Sequence, residues 1–595
     1  MKNYSFSKVK MTDGYLYTKS EMNRKITIPA VYSRFDETGR IAAFRCDYKD
    51  GDPNRPHFFW DSDVAKWMEG AAYELAKSPD DDLSAKIDQI VACIQKNQGE
   101  DGYFNIYYTV IEPEGRWSNR DHHELYCAGH LMEAAVAYAE ATGKCDFLHC
   151  MEKYADYIYR VFVTEGSASF KSPGHEEIEL ALVRMYRYTG KKKYLDLAVH
   201  FINERGLHAE ALANEQFQSH LPVREQKSAV GHAVRALYLY TAMAYVAKET
   251  EDESLTEACK TLWEDVTERK MYITGGVGST NIGEAFTHPY DLPSDTAYAE
   301  TCAAIALVFF AQAMLALEND AKYADVIERA LYNGILSGLS LDGTKFFYTN
   351  PLEINLSEHF ENMYDRRRLP IAERPAIFSC SCCPPNVNRL LASVGNYIYG
   401  CEGDTLFVNQ FVHSSLSSDG VSATVKTAYP CDGEVNISAT GVKTVAIRIP
   451  SWCESFTINK PCEKKNGYAF VRADGEITVR FDLTPTAVYA DTRVIRNSGK
   501  LAIQRGPVVY CAESVDNKEN LHAYTVPNDF TYEEVYDESI GLYTLKVACL
   551  CRENGAEGLY SRKTPKYETA TLHLIPYNAF ANRTKTNMVV WFLAK

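Results

Sequence analysis

The chain of 595 residues is 46% hydrophobic and 24% charged and carries a net charge of −16. It is too long for one ordinary core, so roughly two to four domains are expected. The negative charge argues against nucleic acid or an anionic membrane as a partner.

The N-terminal stretch MKNYSFSKVKMTDGYLYTK has basic residues but no apolar core, so a secretory signal is not expected. No apolar run approaches the ~20 residues of a membrane span. The cytoplasm is therefore the expected compartment. The 17 cysteines are scattered, many of them in apolar surroundings such as Cys93 in IVACIQ and Cys549 in VACLC. In a reducing compartment these read as buried thiols rather than bridges.

From about residue 60 to 400 the apolar residues follow a helical period. In DSDVAKWMEGAAYELAK, Val64, Trp67, Met68, Ala71, Ala72 and Leu75 mark one face of a helix, and the Asp61, Ser62, Asp63 cluster predicts its N-cap. A helical hairpin then recurs from Gly129, Gly174, Gly231 and Glu300: a strongly apolar helix, a short polar turn and a more amphipathic helix. Such hairpins suggest a closed toroid, with the apolar helices inside and the amphipathic ones outside. This predicts an (α/α)6 barrel. An open solenoid would use shorter and more regular repeats.

Past about Gly403 the pattern turns to short β-branched segments, TLFVNQFV, SATVKTAY, TVAIRIP, EITVRFDL and KLAIQRGPVVYCAE, bounded by turn residues. The expected fold is an α+β multidomain protein: a barrel domain over 1–402 with a short N-terminal lead-in, then antiparallel β-sandwich domains over 403–503 and 504–595. These β-domains are also the expected surface of a homodimer.

Polar residues collect at the starts of the apolar helices, in DHHELYCAGH, SPGHEEIE, AVGHAVRA and AYAETCAA. An inner ring would bring these starts to one rim, where histidines, a Glu and a Cys would line a pocket. Glu300 and Cys302 are two candidate metal ligands; at i and i+2 they diverge on a regular helix and would share an ion only at a frayed start. SCSCCPPN, which leads into a further helix, adds Cys380, Cys382 and Cys383. Spacing alone favours a closed structural zinc site of Cys302, Cys380, Cys382 and Cys383. The Gly-rich loop YITGGVGSTNIGEAF carries Glu284, a candidate acid/base, and lacks the order of a phosphate-binding loop. Phe58, Phe59, Trp60, Trp67, Tyr103, Trp117, Phe347 and Tyr348 supply aromatic surface near these segments, suited to sugar rings or simply to a core.

GEAF, YDLPSDTAYAETCAA and CSCCPPN, on a helical region followed by β-domains, resemble glycoside hydrolase family 127, whose characterised members include β-L-arabinofuranosidases. The resemblance spans nearly the whole chain, AIQRGPVVYCAE included. It implies a retaining exo-glycosidase acting on a small carbohydrate. Zn²⁺ would be held by Glu300, Cys302, Cys382 and Cys383, with Cys382 as nucleophile and Glu284 as acid/base. It also implies sugar-binding roles for His123, His175, His232 and Tyr348, with His122 and His130 competing for the place of His123. It assigns Cys380 no role. A sugar epimerase on the same barrel would use paired histidines and leave the cysteines idle. A non-catalytic sugar-binding protein would keep the zinc as structure only.

Overall fold

The computed structural model describes residues 1–208, 214–358, 369–553 and 559–595. Among them, six helices form an inner ring: Trp60–Lys77, Glu124–Thr142, Ile178–Thr189, Ala233–Thr250, Thr301–Leu317 and Cys383–Ala392. Each packs on the next, and Cys383–Ala392 packs back on Trp60–Lys77 to close the ring. Their sequences account for the placement. Thr301–Leu317 is apolar on almost every side and almost wholly buried, as a helix between an outer layer and a barrel axis must be. The helices that follow, such as Asp146–Tyr159 and Glu253–Arg269, bury one face only.

The hairpin turns have local causes. Gly143 and Gly190 end their helices at φ of 74° and 71°, in the left-handed region that favours glycine. Asp80 and Asp252 cap outer helices by accepting from the backbone N–H of Leu83 and Leu255, each at 3.0 Å. Asp61, Ser62 and Asp63 do not form the cap expected of them. The helix already starts at Trp60; Asp61 instead accepts from the Ile106 N–H at 3.0 Å, and Asp63 pairs with Arg40 at 3.0 Å. These tertiary partners are distant in sequence, so local pattern could not reveal them.

The sixth hairpin is split between distant parts of the chain. The stretch read as an N-terminal lead-in supplies helices Tyr15–Met22 and Ile28–Glu37, which cover the outside of Cys383–Ala392. Asn23 and Asn388 exchange hydrogen bonds across this contact, Nδ2 to carbonyl at 3.0 Å and Nδ2 to Oδ1 at 2.8 Å.

The described strands form three sheets. Two have six strands each: Lys2–Asn3, Tyr399–Glu402, Thr405–Val408, Thr444–Arg448, Tyr468–Arg472 and Glu463–Lys465 in one; Phe456–Ile458, Ile477–Phe481, Glu434–Thr440, Val421–Thr427, Ser414–Ser418 and Val9–Met11 in the other. Tyr399 and Ser414 join them through a 2.9 Å hydroxyl contact. The N-terminus thus adds one strand to each sheet before entering the barrel. In the third sheet, pairing runs from Lys500–Arg505 through Phe592–Ala594, Tyr524–Val526, Leu542–Arg552, Tyr567–Pro576 and Val508–Glu513 and back to Lys500–Arg505, so the strands close on themselves. Pairing is antiparallel except for Thr405–Val408 with Thr444–Arg448 and Tyr524–Val526 with Phe592–Ala594. Among the described residues no helix is long and apolar enough to cross a membrane.

Candidate active site

The inner helices all begin at one end of the ring, around a cavity of about 570 Å³. His123, His232, Glu300 and Cys382 are the residues immediately before four of these helices, and His175 lies three residues before a fifth. All five line the cavity with Glu284, Cys302 and Tyr348.

Glu300 and Cys302 converge because Glu300 is not helical. Its backbone is extended, at φ −60° and ψ 137°, while Cys302 lies in the first turn. The Glu300 segment runs beside Thr349, and the Thr301 N–H donates to the Tyr348 carbonyl at 2.9 Å. Opposite them, Cys382 precedes the helix whose first residues are Cys383, Pro384 and Pro385. Prolines suit this position because helix-start N–H groups have no intrahelical acceptor.

The four side chains meet. The Sγ atoms of Cys302 and Cys383 are 3.3 Å apart and those of Cys382 and Cys383 3.7 Å. Glu300 Oε1 lies 3.6 Å from Cys382 Sγ and 3.7 Å from Cys383 Sγ, and Tyr348 Oη lies 3.4 Å from Cys382 Sγ. Three thiols and a carboxylate are a Zn²⁺ donor set, and tetrahedral Zn–S bonds of 2.3 Å would place sulfurs about 3.8 Å apart. The residues fit that ion. Burial favours a neutral Cys302 thiol, yet its contacts with the Cys382 and Cys383 thiols bring its pKa down to about 6. Burial, with Cys382 and Glu284 beside it, pushes the Glu300 carboxyl well up. A cation would reverse that preference. Cys380 also lines the cavity but stands outside the cluster, so the four converging side chains include Glu300 where spacing favoured Cys380.

The cysteine loop is held from two sides. Arg40, paired with Asp63, donates to the Ser379 carbonyl at 2.8 Å. Arg374 donates to the carbonyls of Ser337 and Phe580, at 2.8 and 2.7 Å, and stacks on Phe347.

Glu284 sits at φ 55° on a loop whose next residue, Ala285, bridges to His232. Its Oε2 is 2.7 Å from His232 Nε2, and Oε1 accepts from Tyr298 Oη at 2.7 Å. Burial works against the charge on Glu284, but His232 and Tyr298 outweigh it and hold the carboxyl well below its usual range. Nδ1–H of His123 donates to the Asp121 carbonyl at 2.6 Å and that of His175 to the Glu176 carbonyl at 3.0 Å. Burial holds both imidazoles far below their ordinary pKa. Each is thus neutral with a bare Nε2, an acceptor for a hydroxyl.

Of the competing histidines, His122 stacks on Phe58 with centroids 4.6 Å apart and bonds Tyr108. His130 is fully buried, 3.0 Å from Glu177. Only His123 of the three lines the cavity. Among the aromatics, Phe58, Phe59 and Tyr348 line it, while Trp67, Tyr103, Trp117 and Phe347 are core. Sequence reasoning missed Tyr126, Gln216, Arg235, Asn281 and Tyr298, all in the wall. It also missed Lys66, a buried cation 2.6 Å from Tyr126 Oη whose charge is favoured by Cys382 and Cys302. Tyr298 was legible, two residues before Glu300; Lys66 was masked by an ordinary helix pattern.

Residues 8–396 match the family model for the β-L-arabinofuranosidase GH127 catalytic domain, and residues 485–593 that for the glycoside hydrolase family 127 C-terminal domain. The chain is 37% identical over 589 residues to a non-reducing end β-L-arabinofuranosidase of Bifidobacterium longum subsp. longum, covering 90% of this chain and 89% of that protein. The crystal structure of a GH127 β-L-arabinofuranosidase from Geobacillus stearothermophilus T6 superposes with a TM-score of 0.94 at 43% identity, over 99% of this chain and 100% of the other. A GH127 β-arabinofuranosidase structure gives 0.90 at 33% identity, over 100% and 98%.

Proposed function

This chain belongs to glycoside hydrolase family 127 and is a glycoside hydrolase of the β-L-arabinofuranosidase type, and from that premise we propose that it releases terminal β-L-arabinofuranose, with retention, through Cys382 and Glu284. The observation that carries this reading is the convergence of Cys382 with Glu300, Cys302 and Cys383 in a cavity that Glu284 also lines. Glu300, Cys302, Cys382 and Cys383 would hold Zn²⁺, whose contribution is to keep Cys382 ionised at a pH where a free thiol, pKa ~8.5, is mostly protonated.

Cys382 Sγ attacks the anomeric carbon and forms a C–S bond. The glycosidic C–O bond breaks as Glu284 gives its proton to the departing oxygen. Water then yields a proton to Glu284 and attacks the same carbon; the C–S bond breaks and Cys382 leaves as thiolate. Two inversions give retention. Glu284 is ionised in the open cleft, so it has to gain a proton before the first step. A sugar that fills the cavity deepens its burial, which raises a carboxyl pKa. His123 and His175 accept from sugar hydroxyls, and Tyr348 orients Cys382.

The test is incubation with an aryl β-L-arabinofuranoside and with a cysteine-directed furanosyl inactivator, followed by peptide mass mapping. Turnover with label on Cys382 is the expected result. Label elsewhere, or turnover that survives Cys382→Ser, overturns the assignment.

A further inference from the structure

Beside the sulfur cluster lies a second group of metal-ligating atoms. His232, Glu284 and Glu300 each offer one ligand atom, all within 4.8 Å of one another. Glu300 belongs to both groups. Its Oε1 faces the thiols of Cys382 and Cys383, while Oε2 is buried without a hydrogen-bond partner and the residue is only 2% exposed. The site is reached through the cavity, where the Glu284 side chain is 34% exposed.

We propose that His232, Glu284 and Glu300 form a second, inhibitory site for a borderline divalent cation such as Zn²⁺, with Glu300 bridging it to the cysteine site. This rests on the reading of the cysteine cluster as a zinc site. Imidazole with carboxylates suits Zn²⁺, Co²⁺ and Ni²⁺ rather than Mg²⁺ or Ca²⁺, which prefer all-oxygen shells. Charge favours a second ion despite the first: three thiolates and a carboxylate around one Zn²⁺ sum to −2.

The geometric adjustment is small. Tetrahedral Zn²⁺ bonds of 2.0–2.1 Å require ligand separations of about 3.4 Å. The 2.7 Å His232–Glu284 contact would open, and the widest pair would close. The His232 proton would move from Nε2 to Nδ1, which frees the Nε2 lone pair for the metal and gives up the 3.4 Å contact with the Arg235 N–H. Occupancy ties up Glu284, so neither its proton nor its lone pair reaches the substrate.

The experiment starts from protein loaded with one Zn²⁺, adds Co²⁺, and follows bound metal by equilibrium dialysis and the visible spectrum. The expected result is a second equivalent with weak visible bands and no added near-ultraviolet sulfur-to-cobalt charge transfer. It binds at least tenfold more weakly in Glu284→Gln and in His232→Ala, while the first equivalent is retained in both. Excess Zn²⁺ should inhibit the native protein in competition with substrate. Absence of a second equivalent at millimolar Co²⁺, or one indifferent to both substitutions, overturns the second site. Failure of the first equivalent in the native protein overturns the zinc reading itself, and with it this proposal.

Discussion

Glu284 Oε2 lies 2.7 Å from His232 Nε2, and this contact ties the loop carrying the proposed acid/base to the start of an inner helix. With Tyr298 on the other oxygen, both ends of the carboxylate are held by donors. The ionisation of Glu284 is therefore governed by residues outside the cysteine cluster.

Replacing Glu284 by Gln removes the proposed proton donor but not the proposed nucleophile. Substrates with poor leaving groups should slow by about 10²–10⁴-fold, and activated aryl glycosides much less. A leaving-group series on the variant checks this. The assignment reverses if Glu300→Gln gives that pattern while keeping its metal.

Tyr298→Phe deletes one hydrogen bond to the ionised Glu284. Losing a donor to the charged form raises a carboxyl pKa. In the proposed mechanism cleavage needs Glu284 protonated, so the alkaline limb of kcat/KM should move to higher pH, by about one unit or less. A limb that moves to lower pH would contradict the assigned role.

Cys382→Ser should lower kcat by about 10⁴-fold or more, since loss of a nucleophile disables the whole unit. The circular dichroism spectrum should stay unchanged, because Cys382 sits before its helix rather than within the core.

Removal of metal by a strong chelator should abolish turnover, with recovery on adding Zn²⁺. Cys302→Ser should lower zinc content, measured by elemental analysis. Full activity in metal-free protein would refute the proposed zinc requirement.

Arg40→Ala leaves Asp63 buried without its cation and frees the Ser379 carbonyl. Breaking a buried pair from one side costs about 3–5 kcal/mol. Denaturant unfolding should show that loss, and zinc should dissociate faster because the cysteine loop is less constrained.

The helical region, the change to strands and the pooling of polar residues at helix starts were all legible in the sequence. Periodicity reports which face of a segment is buried, and chain order does the rest for contiguous hairpins. The proposed metal ligands were recognisable as ETC and CSCCPPN, though spacing alone pointed to Cys380 where the folded chain brings Glu300 to the cluster. That choice depended on the backbone leaving the helix at Glu300, a matter of its pairing with the Tyr348 segment.

Sequence by itself determined the barrel with β-domains, the family, and a pocket built from helix starts, because these follow from local pattern and motif. Tertiary structure alone decided that the N-terminus completes the ring, that His123 rather than His122 or His130 lines the cavity, and that Tyr298 and His232 grip Glu284. Each depends on contacts between segments far apart in the chain or on the direction of one side chain, and neither leaves a periodic trace in sequence.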